Sequence, residues 1–470
     1  MRTFHITTLG CKVNQYESAQ MATLLRLRGL RQADDPGAAD LRLIHTCSVT
    51  SRAAADSRQT VRKLARLPLL QEGQVTASPA QRVIVTGCWA ASDAADARAV
   101  PGVGAVIGNR DELAAELDRL VAEWSLEDGR AAPNAPLCAG LQAGGAADGL
   151  PALDRRDPAH QRAWLKVQDG CDAHCTYCII PRLRPRVWSR PIADIVAEAR
   201  RLVEQGCREI VLSGIFLGAY GQTTALRRRQ DPAAQSPLAT LIDALCAQVR
   251  GTWRLRLSSL EPGDLDERLI QTLRRHPQVA PHFHLPLQSG SPLILRRMNR
   301  QYGRDDYLRM IERVNGAFDR PAITTDVIVG FPGETDEEFA RTLEVVDFAR
   351  FIHIHAFAFS PRPLTAAARW KGQTAPPQIV SQRLRALREA AAAHDLAFRR
   401  QFLGERMSVI VERDGAAITR DPVAPPRLRR GRTDRYFPVL FDGTGLSAGQ
   451  CVDLRIARVT PTRTLGRPCV

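Results

Sequence analysis

The chain is 470 residues long, which leaves room for two to four domains at roughly 100–200 residues each. With 44% apolar and 24% charged residues its composition is that of an ordinary globular protein, and this excludes wholesale disorder. Its charge is less ordinary: Lys+Arg 65 against Asp+Glu 50 leaves +15, nearly all of it Arg, because Lys occurs only at Lys12, Lys63, Lys166 and Lys371. A chain this basic suggests a polyanionic partner. No stretch approaches ~18 uninterrupted apolar residues, so no transmembrane helix and no membrane association are expected. Met1 to Gly10 lacks the charged start, apolar centre and small-residue cleavage site of a signal peptide, and a cytoplasmic protein is expected. In that reducing setting eleven cysteines point to metal ligation or catalysis, not to a disulfide scaffold.

Residues 1–125 alternate strand and helix patterns. Phe4–Leu9, Leu41–His45 and Arg82–Thr86 read as strands; helices are expected from about Asn14 to Leu27, Thr50 to Leu67 and Asp111 to Trp124. The alternation predicts a parallel α/β layer, with functional residues just beyond the carboxyl ends of its strands. Cys11, Cys47 and Cys88 each follow one of these strands, so the topology would bring them to one rim. Residues 126–160, rich in Ala, Gly and Pro, read as a linker, and Cys138 within it as an incidental thiol. Residues 161–398 carry a longer alternation, with strands expected at Trp164–Gln168, Glu209–Ser213, Arg254–Ser258, Phe283–Leu287, Thr324–Val329 and Ile352–Phe359. Six strand–helix units predict a partial (β/α)6 barrel with its chemistry at the strands' carboxyl ends. Thr223–Pro237 reads as a loop insertion, and 377–400 as a helix leading out of this domain. Residues 399–470 change to short β runs (Met407–Val411, Tyr436–Leu440, Cys451–Ile456), which predict a small β-barrel. This last segment holds 14 Arg against 7 acidic residues, about half of the chain's excess charge.

The densest chemical signal is Gln168-Asp169-Gly170-Cys171-Asp172-Ala173-His174-Cys175-Thr176-Tyr177-Cys178. Three cysteines spaced C-x-x-x-C-x-x-C share one loop after a strand. Three thiolates from one loop can hold three irons of a cubane and leave the fourth open. An open iron can chelate the amino and carboxylate groups of S-adenosylmethionine and pass an electron into its sulfonium, yielding a 5′-deoxyadenosyl radical. The competing reading is structural zinc, which usually takes four ligands; no fourth cysteine lies close by, although His174 is available.

With this loop in view, the chain resembles the radical-SAM methylthiotransferases over almost its whole length. Thr8-Leu9-Gly10-Cys11-Lys12-Val13-Asn14-Gln15-Tyr16-Glu17 resembles that family's opening motif, and Thr46-Cys47-Ser48-Val49-Thr50 and Thr86-Gly87-Cys88 resemble its second and third cysteine motifs. The resemblance implies two 4Fe–4S clusters, one on Cys171, Cys175 and Cys178 and the other on Cys11, Cys47 and Cys88. It also implies S-adenosylmethionine as cofactor and an electron donor such as a flavodoxin or ferredoxin. Gly214, in Leu212-Ser213-Gly214-Ile215, resembles the second-strand motif that approaches S-adenosylmethionine. Glu261, in Ser258-Ser259-Leu260-Glu261-Pro262, could meet the cofactor's polar groups. Asp326 belongs to Thr325-Asp326-Val327-Ile328-Val329-Gly330, which resembles the strand and loop lining the same pocket. Tyr177 is expected along the adenine. Two stretches depart from the family's pattern. Pro181-Arg182-Leu183-Arg184-Pro185-Arg186 is bulkier and more basic than usual, and Leu364 and Ala366 stand where Gly and Pro are usual.

The last segment resembles the RNA-binding TRAM barrel, and the run Arg427, Arg429, Arg430 and Arg432 is a candidate phosphate grip. The resemblance implies sulfur insertion and methylation at an adenine ring carbon in the tRNA anticodon loop, with no stable protein partner. The Gly10–Glu17 wording most resembles enzymes acting on threonylcarbamoyl-adenosine. Isopentenyl-adenosine in tRNA and an aspartate of a ribosomal protein remain the alternatives within the family. A non-catalytic RNA-binding protein with structural metal is the alternative outside it. Cys207, Cys246, Cys451 and Cys469 are expected to be incidental, like Cys138.

Overall fold

The structure is a computed structural model describing residues 1–71, 74–76, 82–127, 149–156, 161–227, 236–412 and 428–469. Most of the 126–160 segment, with Cys138, and Arg427 lie outside the described residues. Inside that segment Leu150 is buried beneath the first sheet and Leu153 against the central core.

The first sheet has five parallel strands in the order Arg31–Gln32, Thr3–Thr8, Leu41–Thr46, Val83–Gly87, Ala105–Ile107. Every residue of Leu41–Thr46 and Val83–Gly87 is buried, as expected of central strands covered on both faces. Helix Lys12–Leu27 follows the first strand and has Cys11 as its N-cap residue. Helix Ser51–Ala65 is capped by the Thr50 side chain, which accepts from Ala53 N.

The central region forms a four-stranded sheet, Arg254–Leu257, Glu209–Gly214, Ala163–Asp169 and Trp188–Ser189, and a three-stranded one, His282–His284, Ala322–Val329 and His353–Ala358. Bridges Leu255 to Val279 and Ser259 to His284 join the two. The six strands anticipated from sequence therefore run in chain order around an open α/β barrel, and only Trp188–Ser189 pairs antiparallel. Ladder pairing of the fourth strand stops at His284, short of the expected Leu287. Ala163, Leu165 and Val167 point into the outer core with Ile195, Ala199 and Leu202, so the alternate residues Lys166 and Gln168 face the opposite side.

The C-terminal segment is a closed five-stranded barrel: Arg406–Val411, Leu428–Thr433, Pro438–Asp442, Thr464–Pro468 and Cys451–Val459 in spatial order. Tyr436, expected within a strand, sits instead in the turn before Pro438, at φ +73°. Its ring stacks on His282 of the central barrel at 4.5 Å between centroids, and the Arg162 and Arg256 guanidinium carbons lie 5.3 and 5.0 Å from the ring. The buried Glu209 accepts from Arg256 Nε at 2.9 Å and Arg254 Nη1 at 3.2 Å, while Arg256 and Arg254 also donate to the carbonyls of Asp434 and Ser408. One carboxylate thus pins the small barrel against the large one.

The surrounding guanidiniums outweigh burial and hold the Glu209 carboxyl down at about 2, against an ordinary 4.5. A depressed carboxyl contributes stability that is complete above its unfolded value and is lost as pH falls toward the folded one. The unfolding temperature should therefore be level above pH 5 and fall between pH 4.5 and 2, and Glu209→Gln should flatten part of that fall. A wild-type unfolding temperature unchanged down to pH 3 would contradict this assignment.

Candidate functional site

Cys11, Cys47 and Cys88 stand at the carboxyl ends of three adjacent strands. Their loops are fastened to each other. Asn14 Nδ2 donates to Leu9 O at 2.9 Å and to Thr46 O at 3.1 Å, which staples the Cys11 loop to the Cys47 loop. Ser57 Oγ accepts from Cys47 N at 3.0 Å and donates to Cys47 O at 2.8 Å. Gly10, at φ +100°, has no room for a side chain: a Cβ there would lie 2.7 Å from Cys47 Cβ and 2.8 Å from its Sγ. Burial pushes the Cys47 thiol up to about 11 and also raises Cys88; Cys11 adds to both shifts, as three close thiols must.

The second trio lies on the loop after strand Ala163–Asp169. Cys171 N donates to Arg184 O at 2.9 Å, Cys178 N to Cys175 O at 3.1 Å, and Thr176 N to Met298 O at 3.0 Å. Burial pushes the Cys171 and Cys178 thiols up to about 12. Arg300 opposes this at Cys175, where its Nη1 donates to Sγ at 3.1 Å. Helix Cys88–Ser92 packs against Ile180–Leu183, two residues beyond Cys178, so the two trios lie close across the junction of the two sheets.

Of the expected cofactor contacts, Tyr177 and Glu261 join this second trio. Arg300 Nη1 donates to Tyr177 Oη at 3.3 Å, and Arg300 Nη2 pairs with Glu261. Tyr177 packs edge-on to Phe331, with ring centroids 6.3 Å apart, and Phe359 and Trp370 extend the wall. Gly214 closes its strand beside Gln168, whose Oε1 a Gly214 Cβ would approach to 2.9 Å. Asp326 is grouped differently. It faces His284 Nε2 at 3.2 Å and has His355 within reach, inside the barrel. Arg429, Arg430 and Arg432 lie along strand Leu428–Thr433. Arg430 and Arg432 both pair with Glu412, at 3.1 and 2.7 Å.

The donor set fits the groups that the sequence suggests. Three sulfurs on one loop suit a cubane with one open iron; on the neighbouring strand end Ser258 Oγ is a buried polar atom without a hydrogen-bond partner, and Glu261 Oε2 makes no hydrogen bond but lies 3.6 Å from Arg227 Nη2. At the other trio, three sulfurs at one rim offer the same donor chemistry.

Sequence reading did not anticipate the ion network between the two trios. Glu17 is fully buried and accepts from Lys166 Nζ at 3.0 Å, Arg184 Nη1 at 2.9 Å and Arg110 Nη1 at 3.0 Å. Asp169 accepts from the same three residues, at 3.1 Å from Lys166 Nζ, 2.8 Å from Arg184 Nη1 and 3.1 Å from Arg110 Nη2. Glu17 lies on the helix that Cys11 caps, Asp169 two residues before Cys171, and Arg184 in the basic stretch that departs from the family pattern. The second departure is visible too: Leu364 takes φ +68°, a conformation that favours the usual Gly, and is 68% exposed. Ser360 beside it donates to Ser51 Oγ at 2.8 Å, closing the loop onto the Cys47 side. Only the excess of buried charge in an Arg-rich segment could have signalled Arg184, and a sequence pattern does not show burial.

Comparison with known proteins agrees with this geometry. Residues 165–346 match the family described as the Radical SAM superfamily, and residues 3–108 match one described as Uncharacterized protein family UPF0004. The chain is 32% identical to the threonylcarbamoyladenosine tRNA methylthiotransferase MtaB of Bacillus subtilis, over 97% of this chain and 94% of that protein. It is 35% identical to the tRNA-2-methylthio-N(6)-dimethylallyladenosine synthase 1 of Mycobacterium marinum, over 98% of this chain and 84% of that protein. Among solved structures, the radical S-adenosylmethionine methyltransferase TsrM of Kitasatospora setae superposes with a TM-score of 0.52 at 15% identity, covering 78% of this chain and 77% of that one.

The crowding at Gly10 gives a direct check. Gly10→Ala should displace Cys47 and leave about four irons per chain after anaerobic reconstitution, where the parent holds about eight. An unchanged iron content in the variant would contradict the assignment of Cys47 as a ligand.

Proposed function

The chain belongs to the radical-SAM methylthiotransferases, and on that premise we propose that it methylthiolates an adenine ring carbon of threonylcarbamoyl-adenosine beside the tRNA anticodon. The family makes it a transferase that uses a 4Fe–4S cluster and S-adenosylmethionine, so the non-catalytic alternative is set aside. The observation that carries the fuller reading is the packing of the Cys88 helix on the segment after Cys178, which brings the two cysteine trios together at one buried junction. When bound, the two clusters and S-adenosylmethionine supply radical hydrogen abstraction, a sulfur and a methyl group. A ring carbon without an acidic proton requires such chemistry.

The residues have separable tasks in this proposal. Cys171, Cys175 and Cys178 hold one cluster, and Cys11, Cys47 and Cys88 the other. Arg300 sets a positive charge against Cys175 and steadies Glu261. Ser258 Oγ offers an unpaired oxygen for a polar ligand, beside the Glu261 carboxylate that Arg300 and Arg227 hold. Tyr177, Phe331 and Phe359 form an apolar wall suited to a planar base and to excluding water. Gly214 lets Gln168 pack against the strand end, where a side chain would collide with it. Arg429 and the exposed Arg430 offer charge to an RNA backbone, although Arg430 shares Glu412 with Arg432, which also donates to the Tyr436 carbonyl. Such a substrate also implies work in the cytoplasm, and among the described residues no helix is long and apolar enough to cross a membrane. Electrons would come from a small carrier such as a flavodoxin or ferredoxin.

Threonylcarbamoyl-adenosine is favoured by the opening motif and by the near full-length match to the Bacillus subtilis relative. Dimethylallyl-adenosine is the second reading, because relatives named for it match at 35% to 37% identity. Nucleoside mass spectrometry of tRNA from cells with and without the gene separates the two. Loss of the methylthio form of threonylcarbamoyl-adenosine on deletion is the expected result. Its persistence, with loss of the methylthio form of the prenylated nucleoside, would overturn the substrate reading.

A further inference from the structure

Three histidines and an aspartate converge on one face of the three-stranded sheet, and strand alternation puts them there. Phe283, Val327 and Ile354 enter the central apolar core, and helix Pro377–Arg400 packs over strand His353–Ala358. The alternate residues His284, Asp326, His353 and His355 therefore face the other way, into the open barrel. The ladder register brings them together. His284 stands opposite Thr324 on the middle strand, and two residues further along that strand Asp326 stands opposite His355. Three neighbouring strands thus each contribute one imidazole or carboxylate to a single patch.

The spacing within the patch is that of ligands around one ion. The donor atoms of His284, Asp326 and His355 all lie within 4.8 Å of one another, and His284 Nε2 and Asp326 Oδ2 are 3.2 Å apart. Two donors at right angles on one ion, each about 2.1 Å from it, stand about 3.0 Å apart, and opposed donors about 4.2 Å apart. The first pair already has such a separation, and a small rotation of the exposed His355 ring completes the set.

Both imidazoles are also held by their other nitrogen. His284 Nδ1 lies 2.9 Å from Thr324 Oγ1, and His355 Nδ1 lies 3.3 Å from His353 Nε2, the two rings meeting edge-on at 78°. With the proton on Nδ1 in each, both Nε2 atoms present a lone pair, which is how metal-ligating histidines are oriented. The donor set contains no sulfur and is chemically unlike either cysteine trio. Two imidazoles and one carboxylate suit a divalent transition ion and leave some of its positions open.

We propose that His284, Asp326 and His355 bind one divalent cation of the iron(II) or manganese(II) kind, in a mononuclear site that shares no ligand with either trio, and that His353 positions His355. The open positions of such an ion face the barrel interior, where they take water or an oxygen donor of a bound ligand. This site is independent of which adenosine is the substrate.

The test titrates manganese(II) chloride into the full-length chain, with its clusters reconstituted and oxidised and loosely held iron removed by a chelator. Free manganese(II) gives a sharp electron paramagnetic resonance signal that is lost on binding, and oxidised 4Fe–4S clusters are silent. The parent should take up about one ion per chain, with imidazole nitrogen couplings in its spin-echo modulation. Asp326→Asn and His355→Ala should each weaken uptake by at least about tenfold at unchanged cluster iron, and His353→Ala should weaken it less than either. If Asp326→Asn loses cluster iron, His355→Ala, at an exposed position, decides the matter. A parent that binds no manganese(II) at millimolar concentration, binds it without nitrogen couplings, or binds it no better than the two ligand variants overturns the site.

Discussion

Everything at this site depends on two carboxylates, Glu17 and Asp169, buried among Arg110, Arg184 and Lys166. The cysteine trios come from different sheets, and no strand pairing joins those sheets. What holds them face to face is this network. It reaches the Cys11 helix through Glu17, the approach to Cys171 through Asp169 and the exit from Cys178 through Arg184. Buried ions are costly unless each is paired, and removing one member of such a pair typically costs about 3–5 kcal/mol. The mutual satisfaction seen here fixes one relative placement of the sheets, because small displacements would leave charges unpaired. His45, two residues before Cys47, lies 3.6 Å from Glu17, and burial holds it down at about 4, so it adds no charge. Three cations against two anions leave one positive charge in excess. Burial raises the Cys88 thiol, and Arg184 and Arg110 from this network oppose that rise.

The same economy explains where the chain's positive charge goes. Arg42, Arg184, Arg190 and Arg256 are among its largest fully or nearly fully buried side chains. Arg399 ties the helix Pro377–Arg400 to the small barrel through the carbonyls of Thr460 and Pro461, each at 3.1 Å. Much of the basic excess is therefore structural. It satisfies carbonyls and buried acids where domains meet, and less of it is free for a polyanion than the composition implies.

The order of strands was legible because parallel strands are continuous apolar runs and the cysteines directly follow them. Strands Leu428–Thr433 and Thr464–Pro468 were not. Leu-Arg-Arg-Gly-Arg-Thr reads as a charged loop, since in a small barrel one face of each strand meets water. Gly431 gives no β signal, yet a Cβ there would lie 2.3 Å from Val409 Cγ1. Pro468 likewise speaks against a strand, although an outer position tolerates it. At the site, the Cys171, Cys175 and Cys178 loop was legible from its spacing, whereas the second trio, Tyr177 and Glu261 were read from the resemblance to the family. The insertion of Arg184 was legible from neither, because it depends on how separate sheets meet. Sequence periodicity within one element does not record that.

The central claim is that one buried ion network holds two cysteine trios opposite each other. Electron paramagnetic resonance of the reconstituted, dithionite-reduced chain tests it most directly, with Cys47→Ala and Cys171→Ala supplying the single-cluster spectra. The parent should give a broadened signal of two interacting spins that is not the sum of the two variants. A parent spectrum equal to that sum would mean that the two trios do not face each other, and would contradict the claim.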